Sequence, residues 1–202
     1  MPKIAAFIIP NKVLKKEIIK YKKNVKKKLG NQIYLNHLPH CSIFTMNVTK
    51  QSFFEKSLKK SITHKSRFTT YNVYKKSIFN FDPITKNKTI FLKIRKNKYL
   101  TDLQLLLLKK IQNFRKNEKS PKFKFRWMED NYKKFGYPFV KKRWNPHFTI
   151  ASIKKSKNSE KFISKFLNKK FNSFPSEKIN KIYIYNILKK KHKLLWKINL
   201  KN

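Results

Sequence analysis

Two short stretches carry the same pattern: Pro39-His40-Cys41-Ser42-Ile43-Phe44 and Pro146-His147-Phe148-Thr149-Ile150. In each, a histidine directly follows a proline and a hydroxyl residue stands two positions later. Apolar residues alternate with these polar ones, which predicts a half-buried β-strand. Because residues i and i+2 of a strand point to the same face, the histidine and the hydroxyl should project together. The residues expected to turn into the core instead are Cys41, Ile43, Phe148 and Ile150.

Two such strands side by side would surround one phosphate with two imidazoles and two hydroxyls. His40 and His147 could then exchange protons with the attacking and leaving oxygens, because the pKa of histidine lies near neutrality. Ser42 and Thr149 would hold the non-bridging oxygens and stabilise the developing charge. One His-x-Ser/Thr is a weak signal, but two copies, each after a proline, are much less expected by chance. The pattern does not say which histidine is the base and which is the acid.

Arg143 precedes the second stretch and is a candidate for a bidentate phosphate contact, with an exposed ion-pairing role as the alternative. His37 and His40 form a His-x-x-His pair, but the intervening Pro39 argues against helical spacing, and no cysteine or carboxylate cluster completes a metal site. We therefore expect neither a metal nor a cofactor. His64 and His192 stand in no motif and are predicted to lie on the surface.

The charge of the chain is extreme, with 52 Lys and Arg against 9 Asp and Glu in 202 residues, a net charge of +43. Such a field attracts polyanions, of which RNA is the most obvious. The alternative is a merely solvated basic surface, since Lys, Asn, Ile and Phe also reflect A/T-rich codons. A single cysteine excludes an intramolecular disulfide and favours a reducing compartment. With no apolar run long enough to span a bilayer, we expect a cytoplasmic monomer without a membrane partner.

The hydrophobic patterns predict an α+β chain forming one domain over residues 1–202. Helices are predicted where apolar residues share a face, first from Leu14 to a stop at Gly30, then after N-caps at Thr49 and Thr101, and last around Phe162. Strands are predicted at Lys3–Ile9, Leu38–Phe44, Phe68–Tyr74, Ser77–Phe81, Thr89–Ile94, His147–Ile153, Lys181–Leu188 and Leu194–Leu200.

No period holds between Arg115 and Trp144, where lysines alternate with aromatic residues. A long irregular stretch in a compact domain is more often functional than accidental. Aromatic rings interleaved with basic side chains are typical of sites for unstacked bases and their phosphates. Three residues are therefore candidates for contacts with a base, although anchoring of the segment to the core is the alternative: Tyr132, Tyr137 and Phe139.

The sequence resembles the 2H phosphoesterase superfamily, in particular bacterial 2′-5′ RNA ligase-like cyclic phosphodiesterases. The resemblance covers nearly the whole chain. KIAAFIIP (3–10) looks like the first strand of the family, and PHCSIF (39–44) and RWNPHFTIA (143–151) look like its two signature strands. The strand–helix unit between them and the final hairpin resemble the remaining parts: TIFLKIRKNKYLTDLQLLLLKKI (89–111), KIYIYNIL (181–188) and KLLWKINL (193–200).

The resemblance implies two lobes, each a helix-backed antiparallel sheet, that face each other across a basic cleft. It assigns catalysis to His40 and His147 and phosphate binding to Ser42 and Thr149. Two departures from the family pattern concern the substrate more than the chemistry. Ser42 replaces the commoner threonine, and Ser152 stands where a basic residue is often found, although Lys154 is close.

The leading hypothesis is a metal-independent phosphodiesterase acting on RNA-derived 2′,3′-cyclic phosphate or 2′-5′ bonds. One alternative is a non-catalytic RNA-binding module of the same fold, although pure binding does not require two titrating imidazoles. The other alternative is an enzyme of this fold that degrades cyclic oligonucleotide signals, which would differ only in the contacts to the base.

Overall fold

The computed structural model describes residues 3–49, 69–116, 121–188 and 192–200. The strands in these residues are β1 (Lys3–Ile8), β2 (Cys41–Asn47), β3 (Thr70–Tyr71), β4 (Val73–Phe79), β5 (Lys88–Ile94), β6 (His147–Ile153), β7 (Glu177–Lys178), β8 (Lys181–Ile187) and β9 (His192–Asn199). The helices are α1 (Lys12–Leu29), α2 (Lys98–Ile111), α3 (Arg126–Phe135) and α4 (Lys157–Asn168). The predicted α+β class is confirmed.

Helix α1 ends at the predicted stop and begins two residues before Leu14, the first residue of the predicted face. The side chain of Asn11 accepts a hydrogen bond from the backbone N–H of Leu14 at 2.8 Å, which caps the first turn. Gly30 ends the helix at φ +70°, a conformation that a side chain would strain. The apolar face packs inward, with Leu14, Ile18 and Val25 buried.

Two antiparallel sheets carry the two histidine stretches. One has the strand order β2-β1-β8-β9 and the other has the order β4-β5-β6, while β3 and β7 form a small separate pair. The strands that contain the histidine stretches, β2 and β6, therefore lie at an edge of their sheets. The intervening residues are buried as predicted, and Cys41, Ile43, Phe148 and Ile150 are all fully buried.

Side chains and loop residues cover both of these edges. The indole Nε1 of Trp144 donates to the carbonyl oxygen of Ser42 in β2 at 3.2 Å. Ile33, between α1 and β2, exchanges two backbone hydrogen bonds with Ser152 in β6, at 3.2 and 2.9 Å. These contacts tie each motif strand to a segment outside its own sheet.

Gln104 of α2 is fully buried, and both the nitrogen and the oxygen of its side-chain amide are hydrogen-bonded. Its Nε2 donates to the carbonyl oxygens of Ile43 at 2.9 Å and Phe139 at 3.0 Å, and its Oε1 accepts from the backbone N–H of Lys141 at 3.3 Å. One side chain thus joins β2 to the segment that leads into β6.

Several elements differ from the prediction. The stretch from Arg115 to Trp144 contains helix α3, which the periodicity missed because its buried residues are seven positions apart, Met128 and Phe135. Helix α2 starts earlier than the predicted cap at Thr101, because the side chain of Asn97 accepts from Leu100 N–H at 2.8 Å.

Strand β4 is continuous across residues 75 and 76, where the sequence predicts a gap between two strands. Lys75 and Lys76 pair with Lys93 and Leu92 of β5, so the ladder has no gap there. The side chain of Lys76 is buried, and its Nζ donates to the carbonyl oxygens of Phe166 and Lys169 at the end of α4. Asp82 and Pro83 form the predicted turn after this strand. The helix predicted after Thr49 falls in residues 50–68, outside the described residues. None of the described helices combines the length and apolar composition needed to cross a bilayer.

Replacing Gln104 with leucine should destabilise the fold by roughly 2–4 kcal/mol, because two buried carbonyl oxygens and one N–H lose their partner. Chemical denaturation followed by circular dichroism measures this difference. Lys109→Leu, an exposed change on the same helix, is the control and should stay within about 0.5 kcal/mol of the parent. Equal stabilities of the two variants would show that the amide does not join these segments.

Candidate active site

Both histidine stretches open onto one cavity of about 660 Å³. Its lining comes from both sheets and from the segment that precedes β6. All four motif residues line it, together with most of the other residues singled out from the sequence: His40, Ser42, His147, Thr149, Arg143, Tyr137 and Phe139. The structure therefore brings the two stretches together around one space.

The two imidazoles are held in the same way. Nδ1 of His40 lies 2.6 Å from the carbonyl oxygen of Leu38, and Nδ1 of His147 lies 2.7 Å from that of Asn145. Each carbonyl belongs to the residue before the proline. Because a carbonyl oxygen only accepts, Nδ1 carries the hydrogen in both rings, and Nε2 is left with a lone pair for proton transfer.

A phenylalanine supports each histidine from the neighbouring central strand. Phe7 of β1 lies opposite Ser42 and stacks on His40 with ring centroids 3.9 Å apart. Phe91 of β5 lies opposite Thr149, and its ring centroid is 4.8 Å from that of His147. In both pairs of strands the register shifts directly before the phenylalanine. Sequence reasoning missed these supports, because only the strand register reveals them.

Burial keeps both imidazoles neutral in the free protein. The pKa of His40 is lowered to about 4, mainly by burial and also by the nearby His192, His37 and Lys22, while the carbonyl of Leu38 opposes the shift. Burial also lowers the pKa of His147, but here the Asn145 carbonyl and the Asp82 carboxylate oppose the shift. The two histidines therefore differ in the charges around them.

Cationic side chains reach the cavity from several elements. Arg143 lines it and lies 4.7 Å from the ring centroid of Trp127. The turn that carries Arg143 is held by Lys96, whose Nζ donates to the carbonyl oxygens of Lys141, Lys142 and Trp144 at 3.1–3.2 Å. Lys96 thus fixes the backbone on both sides of Arg143.

Lys22 of α1 is a buried cation at the edge of the same cavity. Its Nζ donates to the carbonyl oxygens of Tyr34 and His37 at 2.5 and 3.0 Å, and burial lowers its pKa to about 8. By contrast, Ser152 and Lys154 do not line the cavity. Ser152 is buried with its hydroxyl 2.5 Å from that of Thr85. The cations of this site therefore do not come from the position just past the second motif, where the family pattern often has a basic residue.

Comparison with known proteins gives a consistent result at the level of fold. No family model matches the sequence, and no curated protein matches it. Among solved structures, TT0787 of Thermus thermophilus shares 12% identity, with 99% of this chain and 98% of that chain covered and a TM-score of 0.59. E. coli LigT complexed with 3′-AMP shares 11% identity, with coverage of 100% and 99% and a TM-score of 0.52. A structure described as a phosphoesterase shares 12% identity over 100% and 99%, with a TM-score of 0.53.

The chain has the LigT-like 2H phosphoesterase fold. This confirms the fold that the resemblance of the sequence implies. At 11–12% identity the likeness establishes the fold alone, so the chemistry of the site has to be argued from its own residues.

The position of His192 differs from the prediction. The sequence predicts a surface position for it, but it begins β9 and is half-buried in the lining of the cavity. Its ring centroid lies 5.1 Å from that of His37, 5.9 Å from that of His40 and 5.8 Å from that of Phe7. The sequence carries no local signal for this, because the contact depends on the pairing of β9 with β8 beside β1. His64 lies outside the described residues.

This cluster of imidazoles does not form a metal site. In the described part of the chain, no group of His, Cys, Asp and Glu side chains is placed to hold a metal ion.

Tyr132 is not part of the cavity lining, unlike Tyr137 and Phe139. Its ring contacts Phe123 at 5.3 Å between centroids, and Arg115 lies 4.9 Å from its centroid. Helix α3 directs it away because its other face carries Trp127 to the cavity. Trp127, which the sequence reasoning did not single out, lines the cavity and packs against Phe139, with centroids 6.2 Å apart.

NMR titration of the histidine rings should show His40 titrating near pH 4 and His147 below its ordinary value of about 6.5, because burial disfavours both imidazolium ions. Added inorganic phosphate should raise both pKa values, because its negative charge stabilises the protonated rings. The urea-unfolded protein is the control, where all histidines should titrate near pH 6.5. A folded-state pKa of His40 near 6.5 would contradict the burial argument.

The same depressed pKa values make stability depend on pH. Between about pH 6.5 and 4 the unfolded chain binds protons that folded His40 does not, so the free energy of unfolding should fall as the pH falls through this window. Urea unfolding at several pH values measures the slope. His40→Asn should reduce the slope but not abolish it, because burial also lowers the pKa of His147, His37 and His192. An unchanged slope would show that His40 is not the buried group that titrates.

Proposed function

We propose that this protein is a metal-independent phosphodiesterase acting on RNA-derived 2′,3′-cyclic phosphate or 2′-5′ phosphodiester bonds. One observation carries the proposal. Both histidine stretches open onto the same cavity, and each imidazole has its Nδ1 bound to a carbonyl, which leaves Nε2 for proton transfer.

Hydrolysis of a cyclic phosphate needs one base and one acid. One Nε2 accepts a proton from water as the water oxygen bonds to phosphorus. The bond from phosphorus to one ribose oxygen then breaks, and the other imidazole, in its protonated form, gives that oxygen a proton. No carboxylate cluster or metal is required for these two transfers.

The surrounding charges favour different roles for the two histidines. Asp82 favours the protonated form of His147, which suits a general acid. Lys22, His37 and His192 all disfavour protonation of His40, which suits a base that starts neutral. Burial still disfavours the imidazolium form of His147, and the negative charge of a bound phosphate would offset this effect. In the reverse direction the roles exchange.

The hydroxyls and cations complete the site. Ser42 and Thr149 line the cavity on the same strand faces as the histidines, where their hydroxyls can donate to the non-bridging oxygens of the phosphate. Arg143 can bind the same group in bidentate fashion. Tyr137, Phe139 and Trp127 offer aromatic surfaces for a base on the same side as Arg143.

Two structures of one relative agree with such a ligand. E. coli LigT has been crystallised with 3′-AMP and with phosphate. These ligands belong to that protein, and they support the proposal only because they are phosphate-bearing molecules held by a protein of the same fold.

A substrate panel with the purified protein tests the proposed reaction. It compares a 2′,3′-cyclic mononucleotide, a 2′-5′ dinucleotide, an RNA ending in a cyclic phosphate and a cyclic dinucleotide, each with and without EDTA. We expect turnover of the first three that survives EDTA. Turnover of the cyclic dinucleotide alone would assign the enzyme to signal degradation, and loss of all activity with EDTA, restored by an added metal, would contradict the two-histidine mechanism.

His40→Ala and His147→Ala should each lower kcat by at least about 100-fold, because a general acid or base typically contributes 10²–10⁴-fold. The double variant should be far less than multiplicatively slower, because both groups act in one step. Steady-state kinetics with a cyclic mononucleotide measure these effects. Lys154→Ala, outside the cavity, is the control and should retain the parent rate. More than half of the parent activity in either histidine variant would rule out the mechanism.

Ser42→Ala and Thr149→Val should each lower kcat/KM by about 10- to 1,000-fold, because each removes a donor to a phosphate oxygen on which charge develops. The same assay measures the loss, with thermal melting to verify that both variants fold. Parent-like kinetics in both variants would mean that these hydroxyls have only a structural role in their strands.

A further inference from the structure

A second groove lies on the helical side of the fold, between α1 and α4. Its volume is about 1110 Å³, and α1, β4, α4 and the segment after α4 line it. It shares no lining residue with the cavity that contains His40. Nothing in the proposed reaction uses this groove.

The groove is strongly basic. Among its described lining residues, Glu17 is the single acidic side chain. The exposed lysines at its rim come from both helices and from the end of α4: Lys20, Lys28, Lys161, Lys165, Lys169 and Lys170. Lys161 and Lys165 are one helical turn apart on α4, so their ammonium groups can follow a chain of negative charges along the groove.

Aromatic rings lie between these cations. Tyr21 of α1 and Phe166 of α4 meet edge to face with centroids 5.5 Å apart, and this contact spans the two walls. Phe171 and Phe174, in the segment after α4, lie 5.9 Å apart and are each half-buried. Phe166 is buried, whereas the half-buried rings of Tyr21, Phe171 and Phe174 keep part of their surface exposed, on which a base can stack.

A buried cation holds the shape of the groove. Lys76 of β4 lies in its lining, with Nζ donating to the carbonyl oxygens of Phe166 and Lys169. These carbonyls belong to the last turn and the cap of α4, where the helix leaves such groups without internal partners. Lys76 therefore fixes the end of α4 and the start of the segment that carries Phe171.

We propose that this groove is a binding site for single-stranded nucleic acid, separate from the reaction site. The lysines match a row of phosphates and the rings match unstacked bases, and this combination is typical of single-strand sites without sequence preference. An anionic membrane would also match the charge, but it requires exposed apolar side chains to insert. In the described chain, none of the large exposed apolar residues lines the groove.

Fluorescence anisotropy with a labelled oligoadenylate tests the site on the intact protein. Reversal of two groove charges, Lys161→Glu with Lys165→Glu, should weaken binding on the order of tenfold and flatten the dependence of log K on log salt by roughly 0.7 per lost phosphate contact. The matched control is Lys109→Glu with Lys110→Glu, which makes the same charge change on exposed residues of α2, outside both cavities. The control should stay near the parent affinity. Equal weakening in the two variants would overturn the proposal, because binding would then follow net charge alone.

Phe171→Leu separates nucleic acid from other polyanions. It keeps an apolar side chain at a half-buried position but removes the ring, so the affinity for oligoadenylate should fall severalfold while that for inorganic polyphosphate stays unchanged. An unchanged affinity for oligoadenylate would overturn the assignment to nucleic acid. Binding to phosphatidylserine vesicles that depends on Lys161 and Lys165, without binding of the oligonucleotide, would assign the groove to a membrane instead.

Cyclic-phosphate hydrolysis is measured for the same variants, so that a failure of the binding proposal can be told apart from a failure of the proposed reaction. We expect the parent rate with a mononucleotide in all of them, because the groove and the reaction cavity share no residue.

Discussion

The candidate site depends on the burial of alternate residues in two edge strands. Cys41 and Phe148 are fully buried, and the period of two in a strand then turns the histidine and the hydroxyl on either side of each toward the cavity. A shift of one residue in either strand would place a histidine in the core and an apolar side chain in the site. The packing of these residues thus contributes to the stability of the sheets and sets the position of the two histidines and the two hydroxyls.

The proline in each stretch is linked to the hydrogen bonding of the histidine as well as to the course of the backbone. The residue before a proline is restricted to extended conformations, and in both stretches the carbonyl of that residue accepts the hydrogen bond from Nδ1 of the histidine. The same three-residue unit therefore sets the direction of the chain and the tautomer of the ring. It recurs in two sheets of different size, which explains why the pattern is recognisable in the sequence even though the surrounding residues differ.

The sequence was sufficient for the parts of the site that are local. The residue types and the period of two predicted that His40, Ser42, His147 and Thr149 face one space, and all four line one cavity. The apolar face from Leu14 and the stop at Gly30 predicted α1. The parts that depend on pairing between distant strands were missed. Phe7 and His192 reach His40 only because β1, β8 and β9 pair in that order. Helix α3 was missed for another reason: its inward face carries few apolar residues, so tertiary contacts rather than periodicity support it.

Both motif strands lie at the rim of their sheets, a position that ordinarily offers unpaired carbonyl and N–H groups to another chain. In β2 the side chains of Trp144 and Gln104 occupy the carbonyl oxygens of Ser42 and Ile43, and in β6 a backbone bridge from Ile33 occupies Ser152. At these three residues a neighbouring copy finds the backbone groups already engaged. The strands that carry the two motifs are therefore less open to edge-to-edge aggregation at these points.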